Sequence, residues 1–164
     1  GLTLTRLRAK ARRLKSRHNI GLIVVDYLQL LSLGSNVESR QIEISRLSAA
    51  LKQTARELEL PVITLSQLNR SVEQRQDKRP LMGDLRESGS IEQDADAVML
   101  LYREEYYNKE KLEARGKAEV ILAKNRNGPT GSVELFFFPN MMRFENPTFI
   151  PDPAGAGAPS AAAW

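Results

Sequence analysis

Short apolar runs alternate along the chain with longer stretches whose apolar residues recur every three or four positions. Ile23-Val24-Val25 is β-branched and unbroken, as expected of a strand buried on both faces of a parallel sheet. Val62-Ile63-Thr64-Leu65-Ser66-Gln67-Leu68 and Ala97-Val98-Met99-Leu100-Leu101-Tyr102 read as further strands. Between the first two, Ile44, Leu47, Leu51, Ala55 and Leu58 share one face of a helix predicted over residues 37–59, which Pro61 stops. Leu7, Ala11 and Leu14 predict an amphipathic first helix, capped by Thr3 or Thr5. A helical segment is predicted over 84–93, a charged excursion over 104–117, and polar loops over 32–39 and 69–80. Residues 118–124 and 132–138 make a hairpin around Gly128-Pro129-Thr130-Gly131, with a short strand at 141–145. This order predicts an α/β fold with a mainly parallel sheet and an antiparallel edge hairpin. Pro, Ala and Gly dominate from Pro151, so the pattern divides the chain into a domain over 1–150 and a disordered tail over 151–164.

Composition narrows the chemistry. The chain has 164 residues, one domain or part of one, and 41% hydrophobic content typical of a globular protein. It has no cysteine and a single histidine, His18. Disulfides, thiolate metal sites and multi-histidine metal sites are thereby excluded, and a histidine-based triad is argued against. No apolar run reaches membrane-span length and no signal peptide is visible, so a cytoplasmic location is the default expectation. The net charge of +4 is uneven: Arg6, Arg8, Lys10, Arg12, Arg13, Lys15 and Arg17 occur with no acid among them. These cations surround the whole non-apolar side of the first helix. That favours a solvated or inter-subunit face over a dedicated nucleic-acid site.

Three places combine charge with a structural position suited to phosphate. Asp26 ends the first buried strand, where open α/β sheets bind ligands and where an acid can hold Mg²⁺ or cap a turn. Gln67 ends the second and would be level with Asp26 if the two strands are neighbours. An amide there can sense a γ-phosphate, orient water or make an ordinary strand-end hydrogen bond. Lys124 and Arg126 lie two apart at the end of an apolar run. Such residues project to one side, as a triphosphate site needs, although solvated cations beside a turn fit the same pattern. A fourth segment, with Arg86, Ser88, Gly89 and Ser90 near a helix start, offers a cation and backbone N–H groups to a phosphate backbone. The surrounding loop adds Arg70, Arg75, Lys78 and Arg79 but no interleaved aromatic for base stacking.

Together the segments Ile23-Val24-Val25-Asp26-Tyr27-Leu28-Gln29-Leu30, Thr64-Leu65-Ser66-Gln67-Leu68-Asn69-Arg70, the run from Asp84-Leu85-Arg86-Glu87-Ser88-Gly89 to Asp96, and Lys124-Asn125-Arg126-Asn127-Gly128-Pro129-Thr130-Gly131 carry a resemblance. In this order the chain resembles the C-terminal ATPase domain of DnaB-type replicative DNA helicases, with a RecA-like P-loop NTPase core, over roughly residues 1–145. The resemblance implies an ATP- and Mg²⁺-dependent motor that translocates 5′ to 3′ on single-stranded DNA as a homo-hexameric ring. Primase and a helicase loader are implied partners, with a cytoplasmic, nucleoid-associated location. It implies that Asp26 positions Mg²⁺, directly or through water, and that Gln67 couples the γ-phosphate to the DNA loops. Arg86, Glu87 and Gly89 would track DNA. Arg126, with Lys124 beside it, would be an arginine finger acting on a neighbouring subunit's ATP.

No G-x-x-x-x-G-K-[ST] occurs in the sequence. By the resemblance, the P-loop, the catalytic glutamate and the primase-interacting domain would all precede Gly1. The expectation is therefore an N-terminally truncated helicase portion, inactive as an ATPase by itself, with apolar sheet surface left exposed or covered by a partner or by self-association. Rival readings are a RadA-like recombination ATPase, which shares a Lys-Asn-Arg element, and a non-enzymatic module that binds DNA or a helicase subunit.

Overall fold

β1 (Leu2–Thr3) leads directly into α1 (Leu4–His18), and Thr3 is the cap: its Oγ1 accepts the Arg6 N–H at 3.4 Å. The computed structural model describes residues 2–34, 37–85 and 89–147. The expected tail over 151–164 lies outside them, as do Arg86, Glu87 and Ser88. The chain continues through β2 (Ile23–Val25), β3 (Leu31–Ser32), α2 (Arg40–Leu58), β4 (Val62–Thr64), α3 (Gly89–Asp94), β5 (Ala97–Tyr102), α4 (Glu104–Tyr107), β6 (Lys117–Asn125), β7 (Gly131–Phe138) and β8 (Arg143–Glu145).

α2 starts three residues later than the periodicity predicts. Ser39 caps it, accepting the Ile42 N–H at 3.3 Å, so residues before Ser39 remain outside the helix. Glu59, in the left-handed region at φ 49°, ends it before Pro61. Its buried face is Ile44, Leu47, Ser48, Leu51 and Thr54. Thr54 takes the place expected of Ala55 and Leu58, which are only half-buried. A buried hydroxyl needs partners. Thr54 Oγ1 donates to the Ala50 carbonyl at 2.7 Å and accepts Arg8 Nε at 2.9 Å. Arg8 also donates to Gln53 Oε1 at 2.9 Å, and Arg12 pairs with Glu57 at 2.9 Å. Two cations of the basic helix thus fasten α1 to α2, a role its charge pattern did not reveal.

The main core joins Leu4 and Leu7 of α1, Val25, Leu28 and Leu31, and Ile44, Leu47 and Leu51 of α2. Two short parallel pairs run through this half: β1 with β3, and β2 with β4 in the register Ile23↔Val62, Val24↔Ile63, Val25↔Thr64. The antiparallel part is larger than a hairpin, because β5 and β8 flank it to give the order β5-β6-β7-β8. Leu85, Val98 and Leu100 form a second, smaller core beneath it.

One face of the strands is bare. Val24 of β2 and Ile63 of β4 are 56% and 45% exposed, and Met99 and Leu101 of β5 are 58% and 63% exposed. This matches the expected exposed sheet surface. The alternate residues Val25, Val98 and Leu100 are buried, so the strands here are covered from one side only. Among the described residues, no helix is long and apolar enough to cross a membrane.

Candidate functional site

β2 and β4 are neighbours and parallel, so both strands deliver their ends to the same edge. Extending the register by one residue sets Leu65, not Gln67, opposite Asp26, and Gln67 lies two residues further along the chain. The backbone confirms the pairing: Leu65 N–H donates to the Val25 carbonyl and Leu28 N–H to the Leu65 carbonyl, both at 2.9 Å. Asp26 and Gln67 are exposed. Among the described residues no hydrogen bond or ion pair engages the Asp26 carboxylate, which leaves both oxygens for an external cation. The Asp26–Tyr27 peptide is cis.

The segment after Asp26 is held from α2. Arg40 donates to the Gln29 carbonyl at 2.5 Å and pairs with Glu43, whose other oxygen accepts the Leu33 N–H at 3.1 Å. That backbone N–H bond, with the Arg40 contact, holds the Glu43 carboxyl below the usual carboxylate range. Gln29 also donates to Ser66 Oγ at 3.0 Å, tying the post-strand segments together beside Asp26 and Gln67. Sequence reading missed this support because Arg40 and Glu43 lie more than ten residues beyond Asp26, on a helix face whose periodicity does not mark them as partners of the segment that holds Gln29.

A third strand end carries Lys124 and Arg126. The β5–β6 register shifts between Val98 and Met99, passing from Lys124 to Leu122, so a bulge at Ala123 immediately precedes Lys124. Asn125 then organises the turn. Its Oδ1 accepts the Asn127 N–H at 3.3 Å and its Nδ2 donates to the Pro129 carbonyl at 3.2 Å. Lys124 and Arg126 do project together. Lys124 Nζ donates to the Glu92 carbonyl at 2.5 Å and lies 3.4 Å from that of Gln93, to which Arg126 donates at 3.2 Å. Both therefore cap the carbonyl end of α3. Arg126 also lies 3.5 Å from Asp96 Oδ1, and its N–H donates to the Asp96 carbonyl at 2.7 Å. No contact with Asp26 or Gln67 occurs among the described residues.

The candidate DNA segment begins from a fixed neck. Leu68 and Leu85 form an antiparallel bridge, and Asn69 N–H donates to the Asp84 carbonyl at 2.6 Å. Asp84, expected in a helix, instead lies in a 3-10 turn with its carboxylate buried. Of the loop cations, Arg75 pairs with Asp84 at 2.7 Å, Lys78 donates to the Glu73 carbonyl at 2.9 Å, and Arg79 pairs with Glu119. Residues 86–88 fall between this neck and α3, which Ile91 anchors against the main core. Gly89 is exposed and, with Ser90, lines an open cleft against Gln41, Ile42 and Ser45 of α2. Among the described residues no group of three or more His, Cys, Asp or Glu is placed to hold a metal by itself. Asp26 fits the alternative, a single carboxylate sharing Mg²⁺ with substrate phosphates and water.

Asp26 directly after β2, Gln67 three residues past β4, and two cations at the end of β6 lie where open α/β sheets bind ligands. The family described as DnaB-like helicase C terminal domain matches residues 1–146, and the chain belongs to it. It is 59% identical over 141 residues to the replicative DNA helicase DnaB of Geobacillus stearothermophilus, covering 85% of this chain and 31% of that protein. A solved structure of a DnaB-like replicative helicase and its interactions with primase superposes with a TM-score of 0.83 at 45% identity, over 90% of this chain and 36% of that one. A second solved structure, of an isolated ATPase domain, gives the same TM-score and identity over 90% of this chain and 52% of that one. The chain spans about a third of the length of the curated relatives it matches. The expected RecA-like fold and helicase family are borne out. The RadA-like reading is disfavoured.

Proposed function

We propose that the chain is the C-terminal part of a hexameric, ATP-driven 5′ to 3′ replicative DNA helicase that translocates on single-stranded DNA. The observation that carries the site reading is the exposed Asp26 carboxylate at the carboxyl end of β2, beside β4, which no partner among the described residues engages. Asp26 holds Mg²⁺, directly or through water, against the nucleotide phosphates, and bound Mg²⁺ would supply charge neutralisation. Gln67, three residues past the end of β4, senses the γ-phosphate. Arg126, with Lys124 beside it, reaches the neighbouring subunit's nucleotide and stabilises charge on the transferred phosphoryl group. Its lack of contact with Asp26 and Gln67 supports action between subunits. Arg86, Glu87 and Gly89 track the DNA backbone. Primase and a loader are the partners that fit such a ring, in the cytoplasm at the nucleoid. The bare sheet face is covered by the remainder of the helicase.

A fluorescent ATP analogue with Mg²⁺ tests the reading. The full-length helicase is expected to bind it and this chain alone is not. Binding by the short chain would reveal another phosphate site and reopen the assignment of Asp26. DNA binding by the short chain without nucleotide would favour a non-enzymatic DNA-binding module. Arg126→Ala in the full-length protein should abolish DNA-stimulated turnover while sparing nucleotide binding, and normal turnover would remove the finger assignment.

A further inference from the structure

Asp96 stands between two cations. Its Oδ2 accepts a short hydrogen bond from Lys52 Nζ of α2, and its Oδ1 lies 3.5 Å from Arg126 NH1. The Asp96 carbonyl fixes the Arg126 backbone N–H at 2.7 Å, and the Gln93 carbonyl holds NH2 at 3.2 Å. The Arg126 guanidinium therefore rests on its own chain, against the end of α3. That helix begins at Gly89, directly after residues 86–88.

We propose that Asp96 is a positioning residue that latches Arg126 onto α3, and that Lys52, by taking the nearer carboxylate oxygen, keeps the latch weak enough to release. The inference rests on reading Arg126 as a finger. It adds a device that controls when the finger leaves. The strengths suit a latch. Asp96 and Arg126 side chains are 55% and 47% exposed, which makes theirs a screened surface contact, whereas Lys52 is 20% exposed and closer. The Lys52 hydrogen bond, aided by the Lys52 and Arg126 charges, holds the Asp96 carboxyl below the usual carboxylate range, so it is ionised at neutral pH. The second anchor, the Gln93 carbonyl, belongs to α3. A DNA strand that shifts α3 removes that anchor, leaves Arg126 on the weak contact alone and raises the population of the reaching state. DNA engagement and nucleotide turnover are thereby linked through one guanidinium.

The test uses the full-length helicase and steady-state ATP hydrolysis with and without single-stranded DNA. Asp96→Asn removes the charge that holds Arg126, so DNA-independent turnover should rise about two- to fivefold, the scale of one surface ion pair, and stimulation by DNA should shrink. Lys52→Met frees Asp96 to grip Arg126 alone, so DNA-independent turnover should fall by a similar factor. Asp96→Glu keeps the charge and should stay near wild type. A merely structural pair would shift the Asn and Met variants in the same direction, because both lose the Lys52–Asp96 contact. Shifts of the same sign, or none, overturn the latch. Arg126→Ala separates the two ideas. If it abolishes turnover while Asp96→Asn and Lys52→Met fail to diverge, only the latch is wrong. If it leaves turnover intact, the finger reading fails and the latch fails with it.

Discussion

Arg75 NH2 lies 2.7 Å from Asp84 Oδ2, which also accepts the Leu81 N–H at 2.8 Å, and the Asp84 side chain is only 10% exposed. One nearly buried carboxylate thus closes the loop that ends at Leu85, immediately before the candidate DNA segment. Asp84→Ala leaves the Leu81 N–H without its acceptor and takes the ion-pair partner from the half-buried Arg75, which keeps only the Arg79 carbonyl at 3.0 Å, at a cost of about 1–3 kcal/mol. Amide hydrogen exchange in the full-length protein should accelerate across residues 69–85 while the α2 core stays protected. Unchanged exchange at Leu81 would show that the carboxylate does not hold the neck. Single-stranded DNA binding should weaken by a similar factor for different sequences.

The sequence made the strands legible where both neighbours and burial agree. Ala97–Tyr102 forms as β5 with its predicted ends, and the hairpin around Gly128 is present because its turn residues mark it locally. The end of α2 was readable from Pro61, but its start was not, since Ser39 competes with several polar residues for the cap. Lys124 and Arg126 were found as a pair with a common direction. Their docking on α3 was invisible, because the acceptors are main-chain carbonyls of Glu92 and Gln93, which carry no residue-type signal. A different limit hid Arg8 and Arg12, whose partners are side chains more than forty residues away. A basic run on a helix reads as solvated unless the partners, here Thr54, Gln53 and Glu57, are known to face it.

Gly128 sits where a Cβ would lie 2.9 Å from Asn125 Nδ2. The Asn125 amide must then move, and it is the group that bonds the Pro129 carbonyl. Gly128→Ala is expected to loosen the turn that carries Arg126 rather than the strands beneath it. Turnover in the full-length protein should fall about two- to tenfold through misplacement of Arg126, with nucleotide affinity unchanged. Asn125→Ala should have the same effect through loss of both side-chain bonds. A fall in affinity equal to the fall in turnover would point instead to damage in the fold.

Glu43 provides a pH-dependent hold on the segment after Asp26. Its carboxyl lies below the usual range in the fold, chiefly because Leu33 N–H donates to it. A lowered folded value makes its stabilisation complete above the ordinary glutamate range and lost as pH falls through the folded value. Glu43→Gln removes that dependence. The melting temperature of the wild-type protein should therefore exceed that of the variant at neutral pH, and the gap should close as pH falls below the ordinary glutamate range. A gap that is constant with pH would mean that shape, not charge, is what Glu43 contributes.

Asp26→Asn changes one atom at a side chain that makes no internal contact among the described residues, so stability has little reason to move. The substitution removes the negative charge that a divalent cation needs while leaving an oxygen in place. Nucleotide turnover in the full-length helicase is expected to fall on the order of a hundredfold or more, the scale of losing one electrostatic contribution at a reacting centre. Binding of ATP without Mg²⁺ should be preserved or tightened, because a carboxylate near the phosphates repels them when no cation intervenes. Mn²⁺ should restore part of the lost rate, since it accepts a neutral oxygen ligand more readily than Mg²⁺. A folded variant with wild-type Mg²⁺-dependent turnover would place the metal elsewhere. The exposed strand end beside β4 would then lose its claim to the nucleotide.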